Sequence, residues 1–148
     1  MNRFTHDIRV YWEDTDAGAI VFYANYLKFM ERARTEWLRH MGVQQQLLRD
    51  ETGGMFVVTE TQVRYHRPAR LDDLLRVSAE LKHMGQASIT LVQQVAMADD
   101  PTRKLAEGTI RIGWVEAATL RPTRMPAALL GTLERHRAPS TAETDPRP

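Results

Sequence analysis

Apolar and polar residues alternate along much of the second half of the chain. Four segments have the two-residue period of strands with one buried face, at residues 55–66, 74–83, 87–98 and 104–116. Turn-forming residues separate them at positions 68–73, 84–86 and 99–101, and the last two turns are short enough for antiparallel hairpins. Together with a shorter alternating segment at residues 5–12, the pattern predicts an antiparallel sheet of five strands.

A period of three to four residues replaces this alternation after residue 25 and predicts one long helix. Its apolar stripe is formed by Tyr26, Met30, Ala33, Trp37 and Met41, and it is widened by Leu27, Phe29 and Leu38. Gly42 provides a stop for the helix. Because so broad a stripe must be covered, the predicted fold class is α+β, with the five-stranded sheet curled around the helix.

The remaining segments carry weaker signals. A linker containing Gly53 and Gly54 joins the helix to the second strand. Residues 126–133 are predicted to form either a short helix or an edge segment. Residues 136–148 are rich in proline, threonine and charge, which predicts a disordered tail. The predicted organisation is therefore a single domain at residues 1–135 followed by this tail.

Composition narrows the classes of function. A chain of 148 residues with 43% hydrophobic composition is long enough for one domain with a substantial core. Its net charge of +1 argues against a nucleic-acid partner, and its lack of cysteine excludes disulfides, thiolate zinc sites and cysteine nucleophiles. No apolar run is long enough to span a bilayer, so we expect no integral membrane segment and a cytoplasmic location.

Three carboxylates, those of Glu13, Asp14 and Asp16, lie between the first predicted strand and the helix. Negative charge at this junction, next to Gly18, makes the acidic turn the candidate active site. A local interpretation is also open, namely an Asx-type turn in which the aspartates bind nearby amides and Gly18 takes a positive φ. The further ligands of a calcium-binding EF-hand loop are missing, so no metal site is expected.

The motif Glu-Asp-Thr-Asp-Ala-Gly at residues 13–18 is specific enough to suggest a family. Together with Val-Phe-Tyr-Ala-Asn-Tyr at residues 21–26 and Phe-Met-Glu-Arg-Ala-Arg at residues 29–34, it resembles hotdog-fold acyl-CoA thioesterases of the 4-hydroxybenzoyl-CoA thioesterase type. More narrowly, it resembles their Tol-Pal-associated YbgC-type branch. The resemblance extends through residues 65–74, 85–89 and 121–126.

This resemblance implies a fold, an assembly and a reaction. The expected fold is the hotdog fold, a five-stranded antiparallel sheet wrapped around one long central helix. The expected assembly is a homodimer joined edge to edge through its sheets, commonly paired into a homotetramer. The expected reaction is hydrolysis of an acyl-CoA thioester, with acyl-CoA as the partner and without a metal or redox cofactor.

The resemblance also implies roles for particular residues. Asp16 is the expected catalytic carboxylate, as a nucleophile through a mixed anhydride or as a general base toward water. Backbone N–H groups where the helix begins, notably that of Tyr23, are expected to stabilise the oxyanion. The other candidate substrate-binding residues are Phe22, Glu31, Arg67, Lys82 and Ser88.

Several candidates have a second interpretation. Glu31 faces the site or the subunit interface, or else pairs with Arg34 one turn later. His66 and His83 lie at strand ends and either approach a ligand or are ordinary surface residues. Four residues at predicted strand ends have two interpretations: they hold the CoA phosphates, or they are solvated residues at the rim of the sheet. These residues are Arg67, Arg70, Lys82 and Ser88. The residues expected to form the acyl cavity are Phe22, Tyr23, Phe29 and Phe56.

One position departs from the branch that the motifs resemble. Many YbgC-type members carry a histidine where this chain has Tyr23, and tyrosine matches the hydroxybenzoyl-CoA branch instead. Asp16 is therefore the single catalytic candidate. Two other functions compete: a non-catalytic hotdog module that binds acyl-CoA or acyl carrier protein, and a hydratase or dehydratase. The second is disfavoured because the acidic motif has no histidine.

Overall fold

Five strands form one antiparallel sheet, in the order β1-β3-β4-β5-β2, in this computed structural model, which describes residues 3–137. The strands are β1 (Phe4–Arg9), β2 (Gly54–Tyr65), β3 (Leu74–Met84), β4 (Ser88–Met97) and β5 (Asp100–Glu116). The helices are α1 (Asn25–His40), α2 (Gln45–Thr52) and α3 (Ala127–Arg135). The predicted α+β class is confirmed, whereas most of the predicted tail, residues 138–148, lies outside the described residues.

Helix α1 packs on one face of the sheet. The buried residues of α1 are Asn25, Tyr26, Phe29, Met30, Ala33, Trp37 and Leu38. The buried residues of the strands that share its hydrophobic core include Leu75, Val77, Ala79, Leu81, Ile89, Leu91, Val95, Ile110, Ile112 and Trp114. These strand residues follow the predicted alternation, so the two-residue period identified the face of the sheet that covers the helix.

Leu27 is the exception to the predicted stripe, because 42% of its surface is exposed. It follows Tyr26 by one residue, which turns its side chain by about 100° around the helix axis. That rotation takes it from the centre of the buried stripe to its flank. The prediction that Leu27 widens the buried stripe is therefore wrong for the single chain.

The predicted linker before Gly53 is also wrong, because helix α2 occupies most of it. No residue of α2 is buried, and its only apolar residues are Leu47 and Leu48. The helix therefore lacks the buried stripe that would have predicted it. Gly53 ends α2 in the left-handed conformation, with φ 77°, and its N–H donates to the carbonyl oxygen of Arg49 at 2.8 Å.

Other element boundaries differ from the predictions at their ends. Strand β1 stops at Arg9, earlier than predicted, since Trp12–Asp14 forms a 3₁₀ turn. Strand β5 starts at Asp100, earlier than predicted, because only two residues separate it from β4. Of the two alternatives for residues 126–133, the structure has the helix.

One polar residue interrupts the apolar face of β4. Gln93 is fully buried, and its side-chain amide donates to the carbonyl oxygens of Met30 at 3.0 Å and Ser78 at 3.1 Å. Its Oε1 accepts a hydrogen bond from Nη1 of Arg34 at 3.1 Å, and burial lowers the pKa of that guanidinium. Because both ends of its amide are bonded, Gln93 fixes the position of α1 relative to strands β3 and β4.

Candidate active site

Residues 14–22 form a short two-armed loop, the acidic hairpin, in front of helix α1. An antiparallel bridge joins its arms at Thr15 and Val21. One residue further toward the tip, the Asp16 N–H donates to the Ile20 carbonyl oxygen at 2.9 Å. The hairpin therefore holds Asp16 where the chain reverses direction.

The Asp16 carboxylate is exposed and only partly engaged by its own loop. Its Oδ1 accepts a hydrogen bond from the Gly18 N–H at 2.8 Å, as in the predicted Asx-type turn. Among the described residues, its other oxygen accepts no hydrogen bond. In the single chain Asp16 faces solvent, so one carboxylate oxygen is open to a water molecule or a substrate.

The positive φ in this turn belongs to Ala19 rather than to Gly18. Ala19 has φ 63°, and its N–H donates to the Asp16 carbonyl oxygen at 3.0 Å. Within residues 3–137, the glycines with positive φ are Gly42 and Gly53. The prediction for Gly18 is therefore wrong, and a residue with a Cβ occupies the strained position.

Replacing Ala19 with Gly should raise the free energy of unfolding by roughly 0.5–1 kcal/mol. A left-handed conformation costs a residue with a Cβ about 1–2 kcal/mol, and the greater freedom of glycine in the unfolded chain offsets part of the gain. Urea unfolding measures the difference. Ala17→Gly in the same turn is the control and should lower stability, because Ala17 does not have a positive φ. Equal changes in both variants would contradict the strain at Ala19.

Asp14 is the buried carboxylate of the acidic turn, with 3% of its surface exposed. Its Oδ2 accepts the Tyr11 N–H at 2.8 Å, and its Oδ1 accepts from Nδ2 of Asn25 at 3.0 Å. Asn25 is the first residue of α1, so Asp14 ties the acidic hairpin to the start of the helix. The sequence motif did not distinguish this role from that of its neighbours.

The start of helix α1 presents backbone amides without acceptors. The Asn25 N–H donates to the Phe22 carbonyl oxygen at 2.8 Å, but the N–H groups of Tyr23 and Ala24 have no acceptor among the described residues. Such amides carry partial positive charge at a helix N-terminus. Free amides in this position can bind an anion.

Tyr65, at the end of β2, holds the peptide group that carries the Ala24 amide. Its hydroxyl donates to the Tyr23 carbonyl oxygen at 3.1 Å. Partial burial raises the pKa of the Tyr65 hydroxyl, with a further contribution from Tyr23. A tyrosine hydroxyl is protonated at neutral pH in any case, so this group is a donor. The sequence pointed to Tyr65 only through its place in the motif at residues 65–74.

An aromatic patch surrounds the start of α1. Its rings are those of Phe22, Tyr23, Tyr26 and Tyr65, with neighbouring centroids 4.9–6.1 Å apart. Tyr23 is 65% exposed, and Phe22 and Tyr65 are also exposed. Phe29 is buried behind Tyr26, whereas Phe56 packs on Trp114 at the other end of β2. The single chain thus brings two of the four predicted cavity residues, Phe22 and Tyr23, to the surface of the site.

The loop between β2 and β3 lies against the acidic hairpin. Ile20 forms a bridge with Arg70, and the Ala69 N–H donates to the Tyr26 hydroxyl at 2.9 Å. Arg67 is exposed in this loop, and His66 contacts Glu107 at 3.3 Å. The structure therefore brings the predicted Arg70 against the acidic hairpin, whereas the Arg67 N–H bonds to the Leu105 carbonyl oxygen of β5 and His66 has a surface partner.

Lys82 and Ser88 lie at the far end of the sheet from the acidic hairpin. Strands advance about 3.3 Å per residue, so Lys82 is roughly 26 Å along β3 from Leu74, which adjoins the site. Ser88 lines a polar groove of about 490 Å³ with His83, Thr109 and other residues. Within one chain, neither Lys82 nor Ser88 reaches Asp16.

Glu31 is exposed on α1, two turns beyond Tyr23. Its Oε2 accepts the Thr35 hydroxyl at 2.8 Å. The alternative pairing with Arg34 does not form as a close ion pair among the described residues, because the guanidinium bonds to Gln93. The charge of Glu31 still acts on Arg34, where it partly offsets the lowering of the pKa by burial.

Within residues 3–137, no three His, Asp or Glu side chains are grouped closely enough to hold a metal ion. The helices of this part of the chain are also too short or too polar to cross a bilayer.

Known proteins resemble this chain over most of its length. A family model described as the thioesterase-like superfamily matches residues 10–133. Acyl-CoA thioester hydrolase YbgC of Escherichia coli O6:H1 is 39% identical over 127 residues, covering 86% of this chain and 92% of that protein. Acyl-CoA thioesterase YbgC of Haemophilus influenzae is 41% identical over 125 residues, covering 84% and 90%.

Solved structures show the same fold. A 1,4-dihydroxy-2-naphthoyl-CoA thioesterase from Synechocystis superposes with a TM-score of 0.83, covering 93% of this chain and 100% of that chain. Its sequence identity of 17% restricts this likeness to the fold. The predicted hotdog fold is confirmed.

Proposed function

Since the chain belongs to the thioesterase-like superfamily, we propose that it hydrolyses the thioester of an acyl-CoA to a free acid and CoA. The observation that carries this proposal is the identity of 39% and 41% to two proteins with that activity in their names, over more than four fifths of the chain. A carboxylate with an open oxygen, in a hairpin that leads directly into a helix start whose first amides have no acceptor among the described residues, provides the groups that this reaction needs.

Asp16 supplies the reacting carboxylate in this mechanism. In one route its open oxygen attacks the thioester carbonyl carbon, the CoA thiolate leaves, and water then hydrolyses the mixed anhydride. In the other route Asp16 takes a proton from the water that attacks the same carbon. Each route consumes one water molecule and releases the acid and CoA. The Gly18 N–H holds the second oxygen, which keeps the carboxylate oriented.

The amides of Tyr23 and Ala24 stabilise the oxyanion that develops on the thioester. They require no side chain, so the tyrosine at position 23 is compatible with this role. The absence of an acceptor for either amide among the described residues supports it. One such donor is typically worth about 3–4 kcal/mol of transition-state stabilisation in other enzymes.

Substrate binding by Lys82 and Ser88 requires a second copy of the chain. Strand β2 is an edge strand, and Val58 and Tyr65 on it are exposed. If β2 of one protomer pairs antiparallel with β2 of another, their directions reverse. The end that carries Lys82 and Ser88 in one protomer then approaches the acidic hairpin of the other. The proposed enzyme is therefore a homodimer, or a pair of dimers, with sites shared between protomers.

Light scattering should give a mass at least twice that of the chain at micromolar concentration. Val58→Glu places a charge at the proposed interface and should lower both the mass and the rate of hydrolysis, because the shared site is lost. Thr5→Glu, on the opposite edge strand β1, is the matched control and should change neither. A monomer with full activity would contradict the shared site.

Release of free CoA thiol from acyl-CoAs of graded chain length, and from an aromatic acyl-CoA, tests the hydrolase itself. We expect turnover with at least one of these substrates and no requirement for added metal. CoA binding measured by calorimetry, without thiol release from any substrate, would reject the hydrolase in favour of a non-catalytic binding module.

A further inference from the structure

The proposed reaction needs the Asp16 carboxylate and the Tyr23 amide at a fixed separation. Both groups are on irregular backbone, outside the regular strands and helices. One buried side chain, that of Asp14, lies between them in the network of hydrogen bonds. Its contacts reach the acidic hairpin on one side and the first turn of α1 on the other.

On the helix side, three hydrogen bonds connect Asp14 to the peptide that carries the Tyr23 amide. The Phe22 N–H donates to the Asp14 carbonyl oxygen at 3.0 Å, and Nδ2 of Asn25 donates to the Asp14 carboxylate at 3.0 Å. The Asn25 N–H then donates to the Phe22 carbonyl oxygen at 2.8 Å. In a trans peptide the C=O and N–H point in opposite directions, so this carbonyl bond turns the Tyr23 N–H outward.

On the hairpin side, Asp14 fixes the arm that carries Asp16. Its Oδ2 accepts the Tyr11 N–H at 2.8 Å, and its own N–H donates to the Tyr11 carbonyl oxygen at 3.0 Å. The Thr15 N–H donates to the Trp12 carbonyl oxygen at 3.1 Å, which completes the tight turn. Asp16 follows two residues after Asp14, and its N–H forms the hydrogen bond to the Ile20 carbonyl oxygen that joins the two arms of the hairpin.

We propose that Asp14 is a positioning residue that holds the Asp16 carboxylate and the Tyr23 amide in register for catalysis. The proposal rests on the hydrolase function proposed above. Asp14 does not itself react, because it is buried and both of its carboxylate oxygens already accept hydrogen bonds. Water cannot easily replace these bonds in a buried site, so losing one displaces the groups that depend on it.

An exchange of the two side chains tests this role. In Asp14→Asn, one oxygen becomes an NH₂ group, which cannot accept from the Tyr11 N–H and meets an acceptor at position 25 only if the Asn25 amide turns over from its present orientation, in which its NH₂ group is the donor. In Asn25→Asp, two carboxylates face each other. The double variant restores both bonds, because Asn at position 14 accepts from Tyr11 and donates to Asp at position 25. We expect kcat to fall by about 10²-fold in each single variant, with little change in KM, and to recover in the double variant.

Hydrogen exchange provides a readout that does not depend on turnover. The amides of Phe22 and Asn25 should exchange faster in Asp14→Asn than in the wild type, and the double variant should restore their protection. Circular dichroism and unfolding midpoints check that all three variants are folded.

The possible outcomes separate this proposal from the one on which it rests. An inactive wild type rejects the hydrolase and with it the catalytic role of Asp14. An active wild type with unchanged kcat and unchanged exchange in Asp14→Asn rejects the positioning role alone. A double variant that refolds but does not regain kcat also rejects it, since restored bonds should restore the register.

Discussion

Replacing Asp16 with Asn should lower kcat for acyl-CoA hydrolysis by about 10²–10⁴-fold, the range that loss of an acid–base group typically gives. The amide has nearly the shape of the carboxylate and can still accept the Gly18 N–H, so the hairpin should keep its conformation. What is lost is an oxygen able to attack the thioester or to take a proton from water. Thiol release measures kcat, and calorimetry should show that CoA binding is retained.

Glu13→Gln is the matched control for this result. Glu13 is an exposed carboxylate of the same acidic turn, and its removal changes the local charge by the same amount. We expect its kcat to stay close to that of the wild type. If both variants lose activity equally, the turn acts through its overall charge. If neither loses activity, Asp16 is not the reacting group and the proposed mechanism fails.

Replacing Phe29 with Ala should lower the free energy of unfolding by about 3–5 kcal/mol, as expected for the loss of a large buried aromatic side chain. Phe29 is fully buried in the core between α1 and the sheet, and its ring packs against that of Tyr26 with centroids 6.0 Å apart. The cavity left behind cannot close completely, because the packed sheet and helix are rigid. Urea unfolding at a fixed protein concentration measures the effect, since the proposed dimer makes stability depend on concentration.

Lys28→Ala is the control for the core substitution. Lys28 lies next to Phe29 on α1 but is exposed, so its truncation should change stability by no more than about 0.5 kcal/mol. Similar losses in the two variants would contradict the packing of α1 against the sheet. A loss of unfolding free energy in Phe29→Ala alone would support the packing of one face of α1 against the sheet.

The order and type of most elements follow from local periodicity in the sequence. Alternation of apolar residues predicted the buried face of β3, at Leu75, Val77, Ala79 and Leu81, and each of these residues is buried. Helix α2 was missed because it is short and buries none of its residues, so its two leucines do not form the broad stripe that marks α1. Leu27 was misassigned because it lies at the flank of the apolar stripe of α1. The sequence pattern does not show how far the sheet extends over that flank.

The sequence located the candidate site, but it did not show which of its carboxylates is structural and which is exposed. The acidic motif predicted the turn and its place before the long helix. Within that turn Asp14 and Asp16 are the same residue type two positions apart, and no local rule assigns one to the interior. Folding does so: the hairpin docks on the start of α1, Asn25 reaches Asp14, and Asp16 is left at the tip.

The sequence by itself determined the fold class, the buried faces of the sheet and main helix, and the position of the acidic turn, because these depend on periods of two and 3.6 residues along the chain. Only the tertiary structure decided which carboxylate is buried, that Ala19 rather than Gly18 is strained, and that Lys82 is remote from Asp16 in one chain. The physical reason is that burial and hydrogen bonding at these positions come from segments distant in sequence, whose contacts no local pattern records.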